Sequence, residues 1–388
     1  KIVKRKLFAP RQNWQQQHRE IGFDYFDLPS RDGSMYWSEG VAYEFTLKEI
    51  EQLEDASNEL HQMCMDVVRD LIERGNYPEY FQLPQAAIPF IEHSWHQHAP
   101  MLYGRFDFAY DGKHIKMLEY NADTPTGLLE ASVAQWQWLE QVENIPHRDQ
   151  FNSIHEDLIK RWKTILAPQT NMHFAACQEA GREDWGNLEY LMDTAYQAGF
   201  NVSELSMENI GWNGTHFVDL NQNIMQHIFK LYPWEWIWEE QFSQYINTQT
   251  QWIEPCWKML LSNKAILVEL WKRYPNHPYL VETHAFQAHL NFAGKWVKKP
   301  ILAREGANIR IVQDNHDQGE ASGSFFFKDY DQYGYVAQKW VDTPTFDGKL
   351  PTLGLWMVGH QCAGMSIRED EFEIIGNDAH FASHYFIE

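Results

Sequence analysis

The sequence predicts a mixed fold, with an α/β lobe in the middle of the chain and a mainly antiparallel α+β lobe in its last third. The α/β lobe, at about 165–225, is indicated by the apolar strand-like run 172–177, a helical pattern over 186–198 and the helix-ending Gly199. In the last third, a helical pattern over 257–273 leads into strand-rich sequence. The strand-like runs are 295–303, 307–313, 324–327, 334–341, 353–359 and 363–375.

A long amphipathic helix is predicted ahead of these lobes. Apolar residues recur at helical spacing over 47–76, and Gly75 is a residue type that ends helices. Shorter helical patterns cover 128–142 and 151–166. Because no internal repeat, low-complexity tract or Gly/Ser linker separates these elements, we expect closely packed lobes. The lobes are expected at about 1–150, 151–250 and 251–388.

The composition limits the classes of partner. The chain has 388 residues with 32 basic and 54 acidic side chains, a formal net charge of −22. Such an acidic balance excludes a general binder of the nucleic-acid backbone, because that binding depends on excess Lys and Arg. It favours a soluble protein and, weakly, a cationic small-molecule partner.

The cysteines and the chain start predict the compartment. Cys64, Cys177, Cys256 and Cys362 lie far apart and form no CxxC pair, as in proteins of a reducing compartment. The basic start lacks the apolar core of a signal peptide, and no run approaches the about 20 apolar residues of a membrane span. We therefore predict a cytoplasmic protein with neither a zinc site nor a membrane partner.

The first polar cluster lies in a predicted β-hairpin that turns at 111–112. Because side chains two apart in a strand share a face, Arg105 points with Asp107, and Glu119 points with Asn121. The two pairs meet only if odd-numbered residues lie opposite odd-numbered ones. A connection of three or five residues produces that register, whereas a plain two-residue turn separates the pairs. The alternate residues, predicted to face a core, are Phe106, Phe108, Leu118 and Tyr120.

With that register, Asp107, Glu119 and Asn121 form a cluster of oxygen ligands beside the Arg105 guanidinium. Hard oxygen ligands suit Mg²⁺, which takes one or two carboxylates from the protein and completes its shell with phosphate and water. Arg105 could then bind a carboxylate or an acyl phosphate through two hydrogen bonds. A surface hairpin with solvated charges fits the same pattern, so the residues alone leave both interpretations open.

The second polar cluster follows the strand-like run 295–303. Lys299 lies there among apolar neighbours, so its ammonium must reach an anion or extend to water. A short turn with small residues comes next, and its backbone N–H groups could approach phosphate oxygens. It is neither a Walker A loop nor a GxGxxG motif. The residues of this loop are Arg304, Glu305, Gly306, Ala307 and Asn308.

Two further cations lie in apolar sequence. Lys264 occupies a mainly apolar helical stretch, where an unpaired charge would be costly. Arg368 lies between strand-like runs and could reach into the same cleft. Alternatives stay open for this cluster too, since Lys264 could end a helix face and Arg304 could form a surface ion pair with Glu305.

Taken together, these segments resemble the synthetase domain of glutathionylspermidine synthase and its stand-alone bacterial relatives, the acid–amine ligases. The resemblance extends from about Phe23 to the end of the chain. The matching runs include Glu59-Leu-His-Gln-Met-Cys64, Leu102-Tyr-Gly-Arg-Phe-Asp107, Leu118-Glu-Tyr-Asn-Ala-Asp-Thr-Pro-Thr126, Lys230-Leu-Tyr-Pro-Trp-Glu235, Glu254-Pro-Cys-Trp-Lys-Met-Leu-Leu-Ser-Asn-Lys264, Pro275-Asn-His-Pro278, Lys299-Pro-Ile-Leu-Ala-Arg-Glu-Gly-Ala-Asn308 and Ile367-Arg-Glu-Asp370.

The resemblance implies an ATP-grasp fold whose metal-binding strands precede the nucleotide lysines, an order permuted relative to common ATP-grasp ligases. By this likeness Asp107, Glu119 and Asn121 would hold Mg²⁺, with two ions expected. Arg105 and Arg368 would steady the acyl phosphate and the transferring phosphoryl group.

The same resemblance implies an ATP site. Lys264 and Lys299 would contact ATP, Gln338 would lie near the adenine, and the loop 304–308 would cover the phosphates. The implied activity is an ATP-dependent acid–amine ligase that forms an amide through an acyl phosphate. Its carboxylate donor would be a short peptide such as glutathione, and its acceptor an amine or polyamine.

Two departures from the family limit this interpretation. The amidase domain of bifunctional members is not expected here, because the chain begins where the synthetase begins. The acidic pocket for a polyamine is assigned to Glu183 and Asp184, although the flanking sequence diverges. The substrates therefore stay open. An ATP- and Mg²⁺-binding sensor of peptides that has lost ligase turnover is the alternative.

Overall fold

The computed structural model describes residues 2–30, 33–287, 289–303, 309–320, 333–371 and 379–388. The helices are α1 (Trp14–Glu20), α2 (Leu47–Arg74), α3 (Ile88–His96), α4 (Gln135–Gln141), α5 (Ile154–Ile165), α6 (Arg182–Gln197), α7 (Trp234–Glu239), α8 (Lys258–Ser262) and α9 (Ala265–Arg273). The predicted strand at 324–327 and the loop from Arg304 to Asn308 lie outside the described residues.

The strands belong to several sheets. They are β1 (Lys4–Leu7), β2 (Trp37–Thr46), β3 (Tyr103–Tyr110), β4 (Ile115–Asn121), β5 (Arg148–Asp149), β6 (Asn171–Ala176), β7 (Asn201–Ser206), β8 (Gly211–Trp212), β9 (Phe217–Val218), β10 (His227–Leu231), β11 (Gln251–Ile253), β12 (Thr283–Ala285), β13 (Lys295–Pro300), β14 (Arg310–Gln313), β15 (His316–Glu320), β16 (Tyr335–Lys339), β17 (Leu350–Val358), β18 (Gln361–Asp370) and β19 (His380–Ile387).

The largest sheet combines strands from both ends of the chain. Its order is β1-β2-β19-β18-β17-β3-β4, and β5 pairs with β19. Strand β17 runs antiparallel to both β3 and β18. The strand-like runs 353–359 and 363–375, assigned by sequence to the lobe 251–388, thus correspond to neighbours of the polar hairpin β3–β4.

Helix α2 covers one face of this sheet. A capping box begins it, because Thr46 Oγ1 accepts a hydrogen bond from Glu49 N at 3.2 Å and the Glu49 carboxylate accepts one from Thr46 N at 3.1 Å. Gly75 ends it in the left-handed region, with a φ of 63°. The prediction over 47–76 is confirmed. Its buried side chains share a core with Phe106 of β3 and Leu355 of β17.

A parallel sheet in the order β11-β10-β6-β7 forms the middle of the chain. Helix α6 connects β6 to β7, as an α/β pattern requires. The predicted α/β lobe is confirmed in kind. Its sheet extends beyond the predicted limit of 225, because β10 pairs with β6 and β11 pairs with β10.

An antiparallel sheet in the order β12-β16-β13-β14-β15 follows. The single helix predicted over 257–273 is wrong, since α8 and α9 are separate. Asn263 takes an extended conformation between them, with a ψ of 129°, and its side chain bonds Phe81 O and Ala265 N. Lys264 N then donates to Ile301 O at 2.9 Å, which ties this break to the end of β13.

The cysteines and helices bear on the predicted environment. All four cysteines are free thiols, and Cys64, Cys256 and Cys362 are buried. Of the helices in the described ranges, none combines the length and apolar character needed to cross a membrane.

Candidate active site

The polar hairpin brings its charged residues together on one face. In the pairing of β3 with β4, Asp107 lies opposite Glu119 and Arg105 lies opposite Asn121. Phe106 lies on the other face and is fully buried in the core under α2. The alternation of apolar and polar residues therefore directs all four polar side chains away from that core.

A β-bulge, not the turn, produces this register. The connection 111–114 has four residues, so Tyr110 lies opposite Ile115, an even number opposite an odd one. The pairing then shifts beyond Phe108, where Leu118 is an extra residue. The predicted connection of three or five residues is therefore wrong, and the bulge restores the odd-to-odd register. Leu118 lines a cavity instead of entering the core.

The carboxylates of this cluster converge on one amide. Asn121 Nδ2 donates to Asp107 Oδ2 at 3.1 Å and to Glu119 Oε1 at 3.3 Å. Arg105 forms two hydrogen bonds with Asp107, at 2.8 Å from Nε and 3.3 Å from Nη2. The hairpin thus holds two carboxylates, an amide and a guanidinium within direct contact of one another.

Opposite effects separate the pKa values of the two carboxyls. Burial raises the pKa of Asp107, Arg105 opposes it, and the charge of Glu119 adds to the rise. Burial also acts to raise the pKa of Glu119, but Lys264 and Lys299 outweigh it and hold this pKa well below its usual range. Glu119 is therefore ionised, and Asp107 is the carboxyl that would gain most from an added cation.

The two lysines approach this cluster from separate elements. Lys264, in the break between α8 and α9, places Nζ 3.5 Å from Glu119 Oε2 and donates to Ala303 O at 3.2 Å. Lys299 of β13 is 6% exposed and donates to Leu118 O at 3.2 Å. Burial lowers the pKa of Lys299 to about 8, with Glu119 opposing the fall.

The bulge carbonyl also contacts Gln338. Gln338 Nε2, on β16, donates to Leu118 O at 3.1 Å, beside the contact from Lys299. β16 and β13 are hydrogen-bonded neighbours. Leu118, the bulge residue of β4, therefore connects the hairpin to the five-stranded sheet through its carbonyl.

Arg105 lies on an aromatic ring. Its Cζ is 5.4 Å from the ring centroid of Trp356, and its Nη1 donates to Thr126 O at 2.9 Å. Trp356 Nε1 donates in turn to Ser366 Oγ at 2.9 Å. Gly354 lies beneath the arginine stem, where a Cβ would be 2.9 Å from Arg105 Cδ. This close approach explains a glycine in the middle of β17.

Arg368 also lies on an aromatic ring. Its Cζ is 5.1 Å from the ring centroid of Tyr36, and its Nη2 donates to Ala379 O at 2.9 Å. Arg368 is on β18, whose neighbour β17 carries Trp356. Both predicted catalytic arginines, Arg105 on β3 and Arg368 on β18, therefore lie on strands of the large sheet.

One cavity lies between the large sheet and the five-stranded sheet. The predicted residues in its wall are Arg105, Asp107, Glu119, Asn121, Lys299, Gln338 and Arg368. Lys264 reaches the cluster through its contact with Glu119. The loop from Arg304 to Asn308 lies outside the described residues, so its assigned position over the phosphates stays a prediction.

The predicted acidic pair lies at the start of α6. Both Glu183 and Asp184 are in the first turn of this helix. Thr126 Oγ1, which belongs to the cavity wall, is 3.5 Å from Glu183 Oε1. Neither acid is among the described residues of the cavity wall, and it is Glu183 that lies next to this wall, through Thr126.

Several residues of the site carried no recognisable signal in the sequence. Trp356 and Ser366 support Arg105, and Tyr36 supports Arg368, yet each of these residues lies far along the chain from the arginine that it supports. An aromatic or serine in a strand is most often a packing residue. Only the pairing of β17 with β3 and β18 reveals what they contact.

The donor set of the hairpin suits a divalent cation that takes few ligands from the protein. Across the described ranges, no group of three or more His, Cys, Asp or Glu side chains is arranged to hold a metal. Asp107, Glu119 and Asn121 offer two carboxylates and one amide, joined through Asn121. This set fits Mg²⁺, which obtains its remaining ligands from phosphate and water, better than a cation that needs an all-protein cage.

Sequence comparison identifies the family. A family model described as "Glutathionylspermidine synthase preATP-grasp" matches residues 5–387. The chain belongs to this family, and the predicted resemblance is confirmed. A Haemophilus influenzae protein named "Putative acid–amine ligase" is 51% identical over 387 residues, which cover 98% of each chain.

More distant relatives are larger proteins. The bifunctional glutathionylspermidine synthetase/amidase of Escherichia coli is 25% identical over 369 residues, covering 87% of this chain and 58% of the relative. Trypanothione synthetase of Crithidia fasciculata is 27% identical over 360 residues, covering 84% of this chain and 53% of the relative. The named relatives are ligases, as predicted from the sequence, and the chain spans little more than half of these two.

Structural comparison supports the fold alone. A glutathione synthetase-like effector from Globodera pallida, in its apo form, superposes with a TM-score of 0.58 at 9% identity. The match covers 96% of each chain. The mixed α/β fold is therefore of the glutathione synthetase-like kind.

Proposed function

We propose that this member of the glutathionylspermidine synthase family is an ATP-dependent acid–amine ligase that forms an amide through an acyl phosphate. The observation that carries the proposal is the meeting of two polar clusters on one cavity. Glu119 of the hairpin contacts Lys264, and Lys299 and Gln338 share the bulge carbonyl of Leu118. Carboxylates for a cation and lysines for phosphates thus occupy adjacent positions.

The first proposed step is activation of the acid. A carboxylate oxygen of the donor attacks the γ-phosphorus of ATP, the bond to the bridging oxygen breaks, and ADP leaves. Lys264 and Lys299 would bind the phosphates, and Asp107, Glu119 and Asn121 would hold Mg²⁺. When bound, Mg²⁺ would neutralise part of the negative charge on the phosphates. Phosphoryl transfer depends mainly on such positioning and charge stabilisation.

The second proposed step is amide formation. The amine nitrogen attacks the acyl carbon, the bond from that carbon to the phosphate oxygen breaks, and phosphate and a proton leave. Arg105 and Arg368 would bind the oxygens of the acyl phosphate, since a guanidinium presents several donors in a fixed plane. The fold already orients the N–H donors of the lysine and arginine side chains in the cavity wall. They would therefore not need to reorient, as solvent water must, when negative charge develops in the transition state.

We infer an ATP-grasp fold with permuted order, two Mg²⁺ ions, Gln338 near the adenine and the loop 304–308 over the phosphates. The lobes would divide near residues 150 and 250, and the protein would act in the cytoplasm. Names of the relatives suggest glutathione or another short peptide as donor and an amine or polyamine as acceptor, with Glu183 and Asp184 beside the amine.

Phosphate release from Mg-ATP tests the proposal. The protein is incubated with and without a pool of short peptides and polyamines, and products are analysed by mass spectrometry. We expect stimulated release and a product equal to acid plus amine minus water. Slow release that ignores the pool, with no condensed product, would contradict ligase activity and favour a nucleotide-dependent sensor.

A matched pair of variants tests the site. Asp107→Asn should lower stimulated release by at least about 100-fold, because it removes a charge that would hold the cation. Asp66→Asn serves as the control, since Asp66 lies on the surface of α2 beside Arg69. Equal activity of the two variants would refute the assignment of Asp107.

A further inference from the structure

A buried acid lies behind Arg368, outside every role proposed so far. Glu130 is fully buried and accepts hydrogen bonds from two tyrosines. Tyr25 Oη donates to Glu130 Oε1 at 2.7 Å, and Tyr36 Oη donates to Glu130 Oε2. Both oxygens of the carboxyl group are thus occupied by phenol donors.

The two phenol rings are held by their surroundings. They stack on each other, with centroids 6.4 Å apart and an interplanar angle of 18°. Tyr25 packs on Gly186 of α6, where a Cβ would be 2.6 Å from Tyr25 Cε1. The backbone carbonyl of Tyr36 accepts from Phe381 N of β19 at 2.7 Å. The ring of Tyr36 therefore has little freedom to move.

Tyr36 connects this acid to the cavity. The guanidinium of Arg368 lies over the Tyr36 ring, 5.1 Å from its centroid, and Arg368 is in the cavity wall. A cation over a ring is attracted to its face. The hydrogen bond to Glu130 fixes the ring, and the ring then limits where the guanidinium can lie.

Arg105 has a parallel arrangement across the same sheet. It lies over Trp356, whose Nε1 is hydrogen-bonded to Ser366. In each case an arginine of the cavity lies on a ring, and a hydrogen bond from the ring fixes its orientation. A buried indole N–H or phenol O–H needs a hydrogen-bond partner in any case, but here both hydrogen-bonded rings lie under arginines of the cavity wall.

We propose that Tyr36, oriented by Glu130 and Tyr25, is a positioning residue that holds Arg368 for the anionic group transferred in the cavity. This inference rests on the proposed function in assigning Arg368 to the acyl phosphate. Tyr36 contacts the arginine, and it is not among the described residues of the cavity wall. Its loss should therefore affect catalysis through Arg368.

A double-mutant cycle tests the inference. Stimulated phosphate release is measured for wild type, Tyr36→Leu, Arg368→Ala and the double variant. Tyr36→Leu removes the ring and should lower kcat by roughly 2- to 30-fold, the range of a cation–π contact, with the KM for ATP unchanged. In the Arg368→Ala background the same substitution should change kcat by less than about 2-fold. Tyr36→Phe keeps the ring but loses the hydrogen bond to Glu130 that orients it, so its kcat should lie between those of Tyr36→Leu and wild type.

A second tyrosine controls for general damage. Tyr385, near the C-terminal end of β19, is also buried, and it donates to Glu44 Oε2 of β2 at 2.7 Å. Tyr385→Leu should lower Tm by an amount similar to Tyr36→Leu while leaving kcat within about 2-fold of wild type. A similar fall in kcat for both variants would overturn the inference.

The outcomes separate this inference from the proposed function. If Arg368→Ala leaves kcat unchanged, the assignment of Arg368 is wrong and the inference falls with it. If Arg368→Ala is impaired but Tyr36→Leu acts equally in both backgrounds, only the inference is overturned.

If the protein shows no catalytic turnover, the inference is tested by the binding of inorganic phosphate, measured by calorimetry on the same four proteins. We then expect a phosphate affinity that depends on Arg368 and that Tyr36→Leu weakens by roughly 2- to 30-fold, the range given above for kcat. Binding that does not depend on Arg368, or no binding, would overturn the inference.

Discussion

Two buried lysines six residues apart have contrasting surroundings. Lys258 of α8 is completely buried, and its Nζ contacts Glu254 Oε1 at 3.1 Å, Tyr103 O at 2.7 Å and Ala122 O at 2.6 Å. Lys264, at the break after α8, contacts Glu119 at 3.5 Å and Ala303 O at 3.2 Å. The first lysine uses all three of its ammonium donors within the fold, whereas the second contacts Glu119 and Ala303, which line the cavity.

The acids differ in the same way. Glu254 also accepts from Leu102 N at 2.8 Å and Tyr103 N at 3.2 Å, so its charge is compensated inside the protein. Glu119 lines the cavity beside Asp107, where a cation can still approach. A buried charge that the fold has fully satisfied stabilises one conformation, and one that faces a cavity can bind a ligand. Burial alone does not distinguish the two.

The largest expected effect is on the satisfied pair. Lys258→Met leaves Glu254 buried without its cation, and removing one partner of a buried pair costs about 3–5 kcal/mol. We expect this loss in the free energy of unfolding, measured by urea titration. A loss below about 1 kcal/mol would show that Glu254 becomes neutral by binding a proton when Lys258 is removed. Lys258 would then not be the structural counterpart of Lys264.

Lys299→Met is the opposite case. Removing a donor that acts on developing phosphate charge costs about 2.7–4 kcal/mol of transition-state stabilisation, or roughly 100- to 1,000-fold in kcat. The free energy of unfolding should stay constant or rise, because a buried ammonium is replaced by an apolar chain of similar size. Unfolding and phosphate release are measured on the same preparation. If Lys299→Met were less stable than wild type but still released phosphate at the wild-type rate, Lys299 would have a structural role and not the proposed role in phosphate binding.

The glycine under Arg105 tests how tightly the cavity side is packed. Gly354→Ala places a Cβ 2.8 Å from Ser366 Oγ and 2.9 Å from Arg105 Cδ, so one of them must move. Overpacking of this kind costs about 1–3 kcal/mol, and we expect a comparable loss in kcat/KM. Gly181→Ala is the control, because a Cβ there meets no atom within 4 Å. Similar losses for both variants would contradict the close-approach argument.

The smallest expected effect is a pH dependence of nucleotide affinity. Burial lowers the pKa of Lys299 to about 8, and a bound polyanion would raise it again. The affinity for Mg-ATP should therefore be constant below pH 8 and fall by up to tenfold, about 1.4 kcal/mol, per pH unit above it. Lys299→Arg, which stays charged, should bind with little change between pH 7 and 9.5. A wild-type affinity that is flat over this range would contradict the role of Lys299.

Local patterns in the sequence sufficed for elements whose structure depends on near neighbours. Helix α2 follows from its apolar spacing, the Thr46 cap and Gly75, all of which lie within the element. The polar face of the hairpin follows from alternation. The break at Asn263 did not follow, because the contact that stabilises it is with Phe81, far away in the chain.

By itself, then, the sequence determined the family, the main helices, the α/β middle and which residues are candidates for the site. Only the tertiary structure decided how those residues meet. The bulge at Leu118, the placement of β17 and β18 beside the hairpin, and the rings under Arg105 and Arg368 all depend on partners distant along the chain. Periodicity reports which face a side chain occupies, whereas register and sheet order depend on packing free energy summed over the whole fold.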